Sequence, residues 1–459
     1  MGNIKPKRAK GPRYSALQVL CAVETKGAYA QIALDKRLQA DGLERRERGL
    51  ATELVYGTLR RQLTLDWILG RFVRRPLHKL PAAVRNNLRM ALYQIVFLDR
   101  IPHAAACNEA TELAKKVGHK GTASFVNGVL RAILRNPDKA DFAKAASNMG
   151  TEKALSLLHS RPRWLVDIWS RELGIDETAC LCEANNRTPA TFFRTNTLKI
   201  SQEELLYQLT KSGVEAEAGQ YAPEAIKVQT ASQVTQLDSY KRGHFTVQDE
   251  AAMLVTHALR PRRDEIVYDL CAGLGGKTLH AASLIENSGE VFAFDIHGGK
   301  LKALQKAALR LGVYNVHLVE GDAARLPPHF HGKANRVMLD APCSGWGVLG
   351  RKPDIRWRAK EEHTQGLVQL QRQLLDSAYA CLAPNGRLVY STCTIHRREN
   401  QDNIAWVLEK YNDLILLDTR RQLPHPFKQL AAAAEPLQLL PHKHGTDGFF
   451  IAVLRKRAT

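Results

Sequence analysis

The sequence predicts a multidomain protein with three parts. These are an all-α bundle over residues 1–145, a linker and small α/β segment over 146–240, and a Rossmann-like, doubly wound α/β domain over 241–459. Three observations carry this reading. The first third places its apolar residues at helical spacing, and the last part alternates short apolar runs with helix-like segments. Acids, glycines and cysteines fall where those runs end.

In the first part, Leu17, Leu20 and Cys21 share one helical face, as do Leu88, Leu92 and Ile95. The stretch "HAAACNEATELAKKVG" is rich in good helix formers and carries Lys115 and Lys116 in its last turn, where cations suit the helix dipole. The charged, Asn-Pro- and Gly-containing run "LRNPDKADFAKAASNMG" has turn composition and sets the expected boundary near 145. Beyond it, "TFFRTNTLKI" reads as a strand around Phe192 and Phe193, and "SQEELLYQLTKSG" as a helix. There is no internal repeat, and "AAAAE" near 431 is the one low-complexity tract.

In the last part, "IVYDL", "VFAFD", "VHLVEGD", "RVMLD" and "GRLVYST" are strand-like runs separated by helical segments, as in a parallel sheet covered on both faces. Ligands of such sheets sit at the carboxyl ends of the strands. The first run ends in Asp269 and the loop Cys271, Ala272, Gly273, Leu274, Gly275, Gly276, Lys277, whose glycines permit a tight turn and close approach to a ligand. The next three runs are expected to end at Asp295, Asp322 and Asp340. An acid about 20 residues past a glycine loop is placed to accept hydrogen bonds from ribose hydroxyls, and Asp295 meets that spacing. By itself the loop reads equally well as a buried turn; the three acids beside it favour a nucleotide-type cofactor.

Composition narrows the partners. The 459 residues are 44% hydrophobic and 24% charged, enough for two or three cores, and 66 Lys and Arg against 46 acids give a net charge of +20. So basic a chain points to phosphate, with nucleic acid first among partners. The eight cysteines (Cys21, Cys107, Cys180, Cys182, Cys271, Cys343, Cys381 and Cys393) show neither a CxxC pair nor a disulfide framework. Cys180 and Cys182 form a C-x-C without further ligands at zinc spacing, so they read as core residues and no metal is expected. The start "MGNIKPKRAKGPRY" is basic without an apolar region behind it, and Pro6 stands where a myristoylation signal needs Ser or Thr. No apolar run approaches the ~20 residues that span a bilayer. A monomer in the reducing cytoplasm, away from membranes, is the expectation.

Two thiols sharpen the chemistry: Cys343 follows the fourth run and Cys393 the fifth, so a doubly wound sheet brings both to one edge. Either alone could be an inert core cysteine; beside three acids they read as reactive groups. The motifs "CAGLGGKT", "DAPCSGWGVLGRKPDIRW", "STCT" and "DGFF" resemble those of the RsmB/Nop (Sun/Fmu) family of S-adenosylmethionine-dependent RNA 5-methylcytosine methyltransferases. In the first part, "ELVYGTLRRQ", "LRMALYQIVFLDRIP" and "FVNGVLR" resemble the NusB-like RNA-binding domain of its bacterial members. The chain departs from the family pattern at Gly273-Leu274, Trp346 and Thr394.

The resemblance implies methyl transfer from S-adenosylmethionine to C5 of a cytidine in small-subunit (16S) ribosomal RNA, free or in an assembling subunit, without a metal. By that carry-over Cys393 attacks C6, Cys343 assists release, Asp340 meets the cytosine N3 edge, and Lys277 holds the site or lowers a thiol pKa. The loop from Cys271 to Lys277 then holds the methionine part of the cofactor, Asp295 the ribose and Asp322 the adenine side, with Asp340 between cofactor and base. Trp346 is expected to narrow the base pocket or add stacking to it. Arg351, Lys352, Arg356 and Arg358, with Trp357 among them, are expected to form a groove for phosphates and a stacked base. Two other classes are weighed: a non-catalytic RNA-binding protein of transcription or ribosome assembly, opposed by the retained thiols and acids, and a nicotinamide-dependent oxidoreductase read from the glycine loop.

Overall fold

Apolar helical faces in the first third close on one another. In the computed structural model, which describes residues 11–229, 234–424 and 435–458, helices Pro12–Lys26, Ala30–Asp41, Arg45–Gly70, Ala82–Phe97, His103–Val117 and Lys120–Arg135 enclose Leu17, Leu20, Leu54, Leu65, Leu88, Leu92 and Leu130. The amino-terminal basic run up to residue 10 and most of the alanine tract near 431 lie outside the described residues. Among those described, no helix is long and apolar enough to cross a membrane.

The compact helical unit runs to Arg187. Further helices, Phe142–Ser147, Thr151–His159, Arg163–Leu173 and Ile175–Ala184, belong to it. Polar ties secure them: Thr64 Oγ1 donates to the Leu157 carbonyl at 2.6 Å, and the Leu63 N–H donates to Ser160 Oγ at 2.8 Å. Near 145 the chain turns between helices Phe142–Ser147 and Thr151–His159.

Residues Lys352–Arg358 also belong to the helical unit. Arg356 is 1% exposed and donates to the Arg60 and Asn185 carbonyls and to Asn186 Oδ1. Trp357 Nε1 donates to the Leu59 carbonyl, and Arg358 bonds the Ala28 carbonyl and Asp354. The expected phosphate groove along this run is therefore corrected. Its guanidiniums and indole are committed to backbone carbonyls, because a short segment with so few apolar side chains is anchored here by hydrogen bonds.

The second unit comprises Thr188–Arg351 and Ala359–Thr459. It begins with a four-stranded antiparallel sheet of β1 (Thr191–Thr195), β2 (Ala216–Ala218), β3 (Ala225–Val228) and β4 (Phe245–Val247), in the order β2-β3-β1-β4. Helix Gln202–Lys211, capped by Ser201, packs Leu205 and Leu209 against Phe193, Ile226 and Phe245.

The larger sheet holds β5 (Ile266–Asp269), β6 (Glu290–Asp295), β7 (Val316–Glu320), β8 (Ala334–Asp340), β9 (Leu382–Thr392), β10 (Leu414–Leu417), β11 (Leu437–Leu439) and β12 (Phe449–Lys456). Its order is β10-β12-β9-β8-β5-β6-β7, with β11 beside β12. Strands β5 to β9 are parallel, as the apolar runs predict, whereas β12 is antiparallel to β9, β10 and β11. Separate apolar clusters cover the two faces. The order reverses between β5 and β8, and the crevice outside their carboxyl ends is where such sheets bind ligands.

Candidate active site

Asp295 ends β6 as expected, 8% exposed, and organises the loop opposite. Its Oδ2 accepts the Gly273 N–H at 3.0 Å, its Oδ1 the His297 N–H at 2.8 Å, and Lys300 Nζ approaches to 3.4 Å. Asp269 braces the same loop from beneath: its carboxylate accepts from Thr278 Oγ1 at 2.6 Å and from the Cys271 N–H at 3.4 Å. Burial pushes the Asp269 carboxyl up to about 6, against the pull of the Thr278 hydrogen bond. The third strand stops at Glu320; Asp322 lies two residues beyond and caps the turn Ala323–Arg325 by accepting the Ala324 N–H.

A cavity of about 310 Å³ opens here, lined by Cys271, Gly273, Asp295, Asp322 and Asp340 among the residues expected to touch a cofactor. Ile296, His297, Lys300, Ala323, Leu370 and Leu374 also line it, none of them singled out by the motifs. Ala272, Leu274, Gly275, Gly276 and Lys277 are not among its lining residues. Leu274 is 67% exposed, Ala272 joins the core, and Gly276 and Lys277 open helix Gly276–Leu284. Gly275, at φ +85°, is required by packing, since a Cβ there would come within 2.3 Å of Leu304 Cγ.

The thiols meet on the other side of Asp340. Parallel pairing sets Asp340 of β8 against Ser391 of β9, and Pro342, with no N–H to donate, ends the pairing just beyond. Cys343 Sγ and Cys393 Sγ are 3.3 Å apart. Asp340 accepts Lys277 Nζ at 2.6 Å on Oδ2 and Ser391 Oγ at 2.9 Å on Oδ1. Burial works against the Lys277 ammonium, but Asp340, Cys393 and Asp269 more than offset it and hold its pKa up. The hydrogen bond with Cys393 and then burial push the Cys343 thiol well above its ordinary range.

The loops that carry the thiols are stitched together. Ser344 Oγ and Thr394 Oγ1 lie 2.7 Å apart, so Thr394 contributes a hydroxyl despite departing from the family pattern. The Gly347 N–H donates to the Cys393 carbonyl at 3.0 Å and the Gly448 N–H to the Gly347 carbonyl at 2.8 Å. A Cβ on Gly347 would come within 2.0 Å of the Gly448 carbonyl oxygen, so only glycine allows this approach. Glu399, invisible to the motif reading, accepts the Ser344 N–H at 3.0 Å and Gln371 Nε2 at 2.9 Å, and Gln371 also donates to the Pro342 carbonyl.

Two expectations change. Trp346 is fully buried and stacks on His396 with centroids 4.6 Å apart, so its ring supports the loop from behind and is not open to a base. Arg351 is bound by Asp249 at 2.9 Å and Asp447 at 2.8 Å, which anchors the "DGFF" segment rather than a phosphate.

A sheet of this order, with a glycine loop, an acid ending the second strand and paired strand-end thiols, is matched by methyltransferase family models and relatives. A family model described as 16S rRNA methyltransferase RsmB/F matches residues 256–455, one described as the NusB family matches 10–135, and one for an RsmF/B-like ferredoxin-like domain matches 161–235. The chain is 37% identical over 446 residues to a probable ribosomal RNA small subunit methyltransferase B of Bacillus subtilis, covering 96% of this chain and 98% of that one. It is similar to the crystal structure of PH0851, with a TM-score of 0.82 at 27% identity over 97% of this chain and 99% of that one. The structure of NSun6 from Pyrococcus horikoshii with SFG matches at a TM-score of 0.58 and 25% identity, over 65% of this chain and 99% of that one. The chain belongs to the RsmB/F family of 16S rRNA methyltransferases.

Proposed function

We propose that this protein methylates C5 of a cytidine in small-subunit ribosomal RNA, using S-adenosylmethionine and a covalent bond from Cys393 to C6 of the base. The observation that carries the reading is the pair of sulfurs 3.3 Å apart beside Asp340 and Lys277. S-adenosylmethionine supplies an electrophilic methyl group. The cavity fits such a ligand: carboxylates from Asp295 and Asp322 face it, apolar Ile296, Leu370 and Leu374 wall it, and its volume is that of a small-molecule site. Asp295 would hold the ribose hydroxyls, Asp322 the adenine side, and the Cys271–Gly273 backbone the methionine end.

The chain's own groups divide the base chemistry. Cytosine C5 is a weak nucleophile until a thiolate adds at C6 and raises its electron density. The Lys277 ammonium, drawn by the charge of Cys393, and the sulfur–sulfur contact with Cys343 stand where a thiolate nucleophile needs support. Asp340 meets the N3 edge while Lys277 and Ser391 fix its two oxygens. After transfer, the C5 proton passes to water, the C5–H electron pair forms the C5–C6 double bond, and the C6–S pair returns to Cys393, whose departure the Cys343 thiol assists by hydrogen-bonding the leaving sulfur.

A target base must leave its stack to reach such thiols, which suits an RNA loop. The helical unit, basic and matched by the NusB family model, is read as an RNA-holding part, and the cytoplasm as the compartment that keeps both thiols reduced. Bisulfite sequencing of total RNA with and without the gene tests the proposal. One cytidine in the small-subunit RNA should lose protection in the deletion strain; unchanged protection throughout that RNA would refute it.

A further inference from the structure

A carboxylate and two imidazoles converge inside the second unit, in a cluster that the proposed methyl transfer does not use. Glu224, just before β3, is 4% exposed; His280, in helix Gly276–Leu284, is 1% exposed; His257, in helix Glu250–Leu259, is partly exposed. His257 Nε2 lies 3.1 Å and 3.0 Å from Glu224 Oε1 and Oε2, and His280 Nε2 lies 2.9 Å from Oε1. One ligand atom from each residue falls within 4.8 Å of the other two.

The His280 contact is short but poorly aligned for a hydrogen bond. Neither ring nitrogen of this buried histidine makes a well-aligned hydrogen bond, although Nε2 lies 2.9 Å from a carboxylate oxygen. A buried imidazole so placed bears a desolvation cost that a hydrogen bond would have relieved. Two atoms that ligate a common centre behave differently: at about 2.0–2.1 Å from a tetrahedral metal, neighbouring ligands stand roughly 3.3 Å apart, close to the contacts here. Glu224 brings the cluster its one carboxylate. The opposing charge is Arg194, whose Nη1 is engaged by Gln248 Oε1 and the Gly276 carbonyl rather than by Glu224.

We propose that Glu224, His257 and His280 bind one divalent transition-metal ion, zinc by the chemistry of two imidazoles and a carboxylate, as a structural clamp. The ion would fasten the small antiparallel sheet to the helix that begins with Gly276 and Lys277. No ligand spacing in the sequence announces it, because the three residues come from separate elements.

The test uses the full-length protein, stripped of metal by chelation and titrated with zinc chloride against a chromophoric chelator, then with cobalt chloride. One equivalent of zinc per chain is expected. Cobalt should give visible d–d absorption without a sulfur charge-transfer band, which separates this cluster from the Cys343–Cys393 pair. Glu224→Gln and His257→Gln should each weaken zinc binding by at least the roughly 10–100-fold lost when an outer-shell partner is removed. His257→Gln is the deciding variant, since His257 is partly exposed and circular dichroism verifies its fold. Less than one equivalent bound, a sulfur charge-transfer band, or unchanged affinity in the folded His257→Gln protein would each overturn the proposal.

Discussion

Cys343 and Cys393 hold their sulfurs 3.3 Å apart because Asp340 and Ser391 pair directly across β8 and β9, and each thiol follows its strand by only a few residues. One register therefore sets both thiols and the acid between them. The hydrogen bond with Cys393 and then burial push the Cys343 thiol up, which supports the unequal roles proposed for the pair.

Those roles predict opposite behaviour of two variants. Cys393→Ala should abolish methylation and form no covalent adduct, because C5 is never activated. Cys343→Ala keeps the nucleophile, so addition and methyl transfer proceed while release stalls, and protein and RNA accumulate as one covalent species. Denaturing electrophoresis with labelled RNA reads this as a shifted band. An adduct in Cys393→Ala and none in Cys343→Ala would reverse the assignment.

Asp295→Ala should weaken S-adenosylmethionine binding by about 1.5–3 kcal/mol, the worth of a charge-assisted hydrogen bond, and leave RNA affinity nearly unchanged. The same substitution frees the Gly273 and His297 N–H groups, so Asp295→Asn, which retains one acceptor oxygen, should lose less. Calorimetry on both variants checks this, and unchanged cofactor affinity in the alanine variant rules the role out.

Asp269 gives stability a pH dependence. Burial raises its carboxyl from the ordinary 3.8 to about 6, so the folded state takes up the proton more readily than the unfolded chain. Its contribution is thus fully present below about pH 4 and is lost as pH rises through about 6. At about 1.4 kcal/mol per pKa unit the loss is ~3 kcal/mol. Asp269→Asn cannot ionise, so its stability relative to the unsubstituted protein should rise by about that amount between pH 4 and pH 7. Urea denaturation at both values measures it; a difference that stays flat with pH would count against the raised carboxyl.

Strand-end chemistry was legible because it is local: Asp295, Asp340, Cys343 and Cys393 lie at or just beyond β-branched runs whose direction the parallel sheet imposes. Supports contributed from distant elements were not. Glu399 and Gln371 reach the Cys343 loop from separate segments, and antiparallel β12, which brings "DGFF" beside Gly347, enters the sheet beside β9, a strand distant in sequence. Trp346 and Arg356 show the converse limit: an aromatic or basic side chain in a motif looks like a ligand contact until its burial is known.

Arg356 allows the sharpest separation of a solvated groove from a structural anchor. Its guanidinium is buried and holds the carbonyls of Arg60 and Asn185, the former at 2.9 Å and the latter at 2.8 Å. Arg356→Met removes these bonds and leaves both carbonyls without their donor, so the helical unit should lose about 3 kcal/mol or more, at roughly 1.5–3 kcal/mol per charged bond. RNA binding by the folded variant should keep its dependence on salt, since no phosphate contact is lost. Were Arg356 a phosphate ligand, the slope of log affinity against log salt would instead become shallower by about 0.7–0.9. Urea denaturation and a salt series on the same variant distinguish the two, and a shallower slope with unchanged stability would restore the groove.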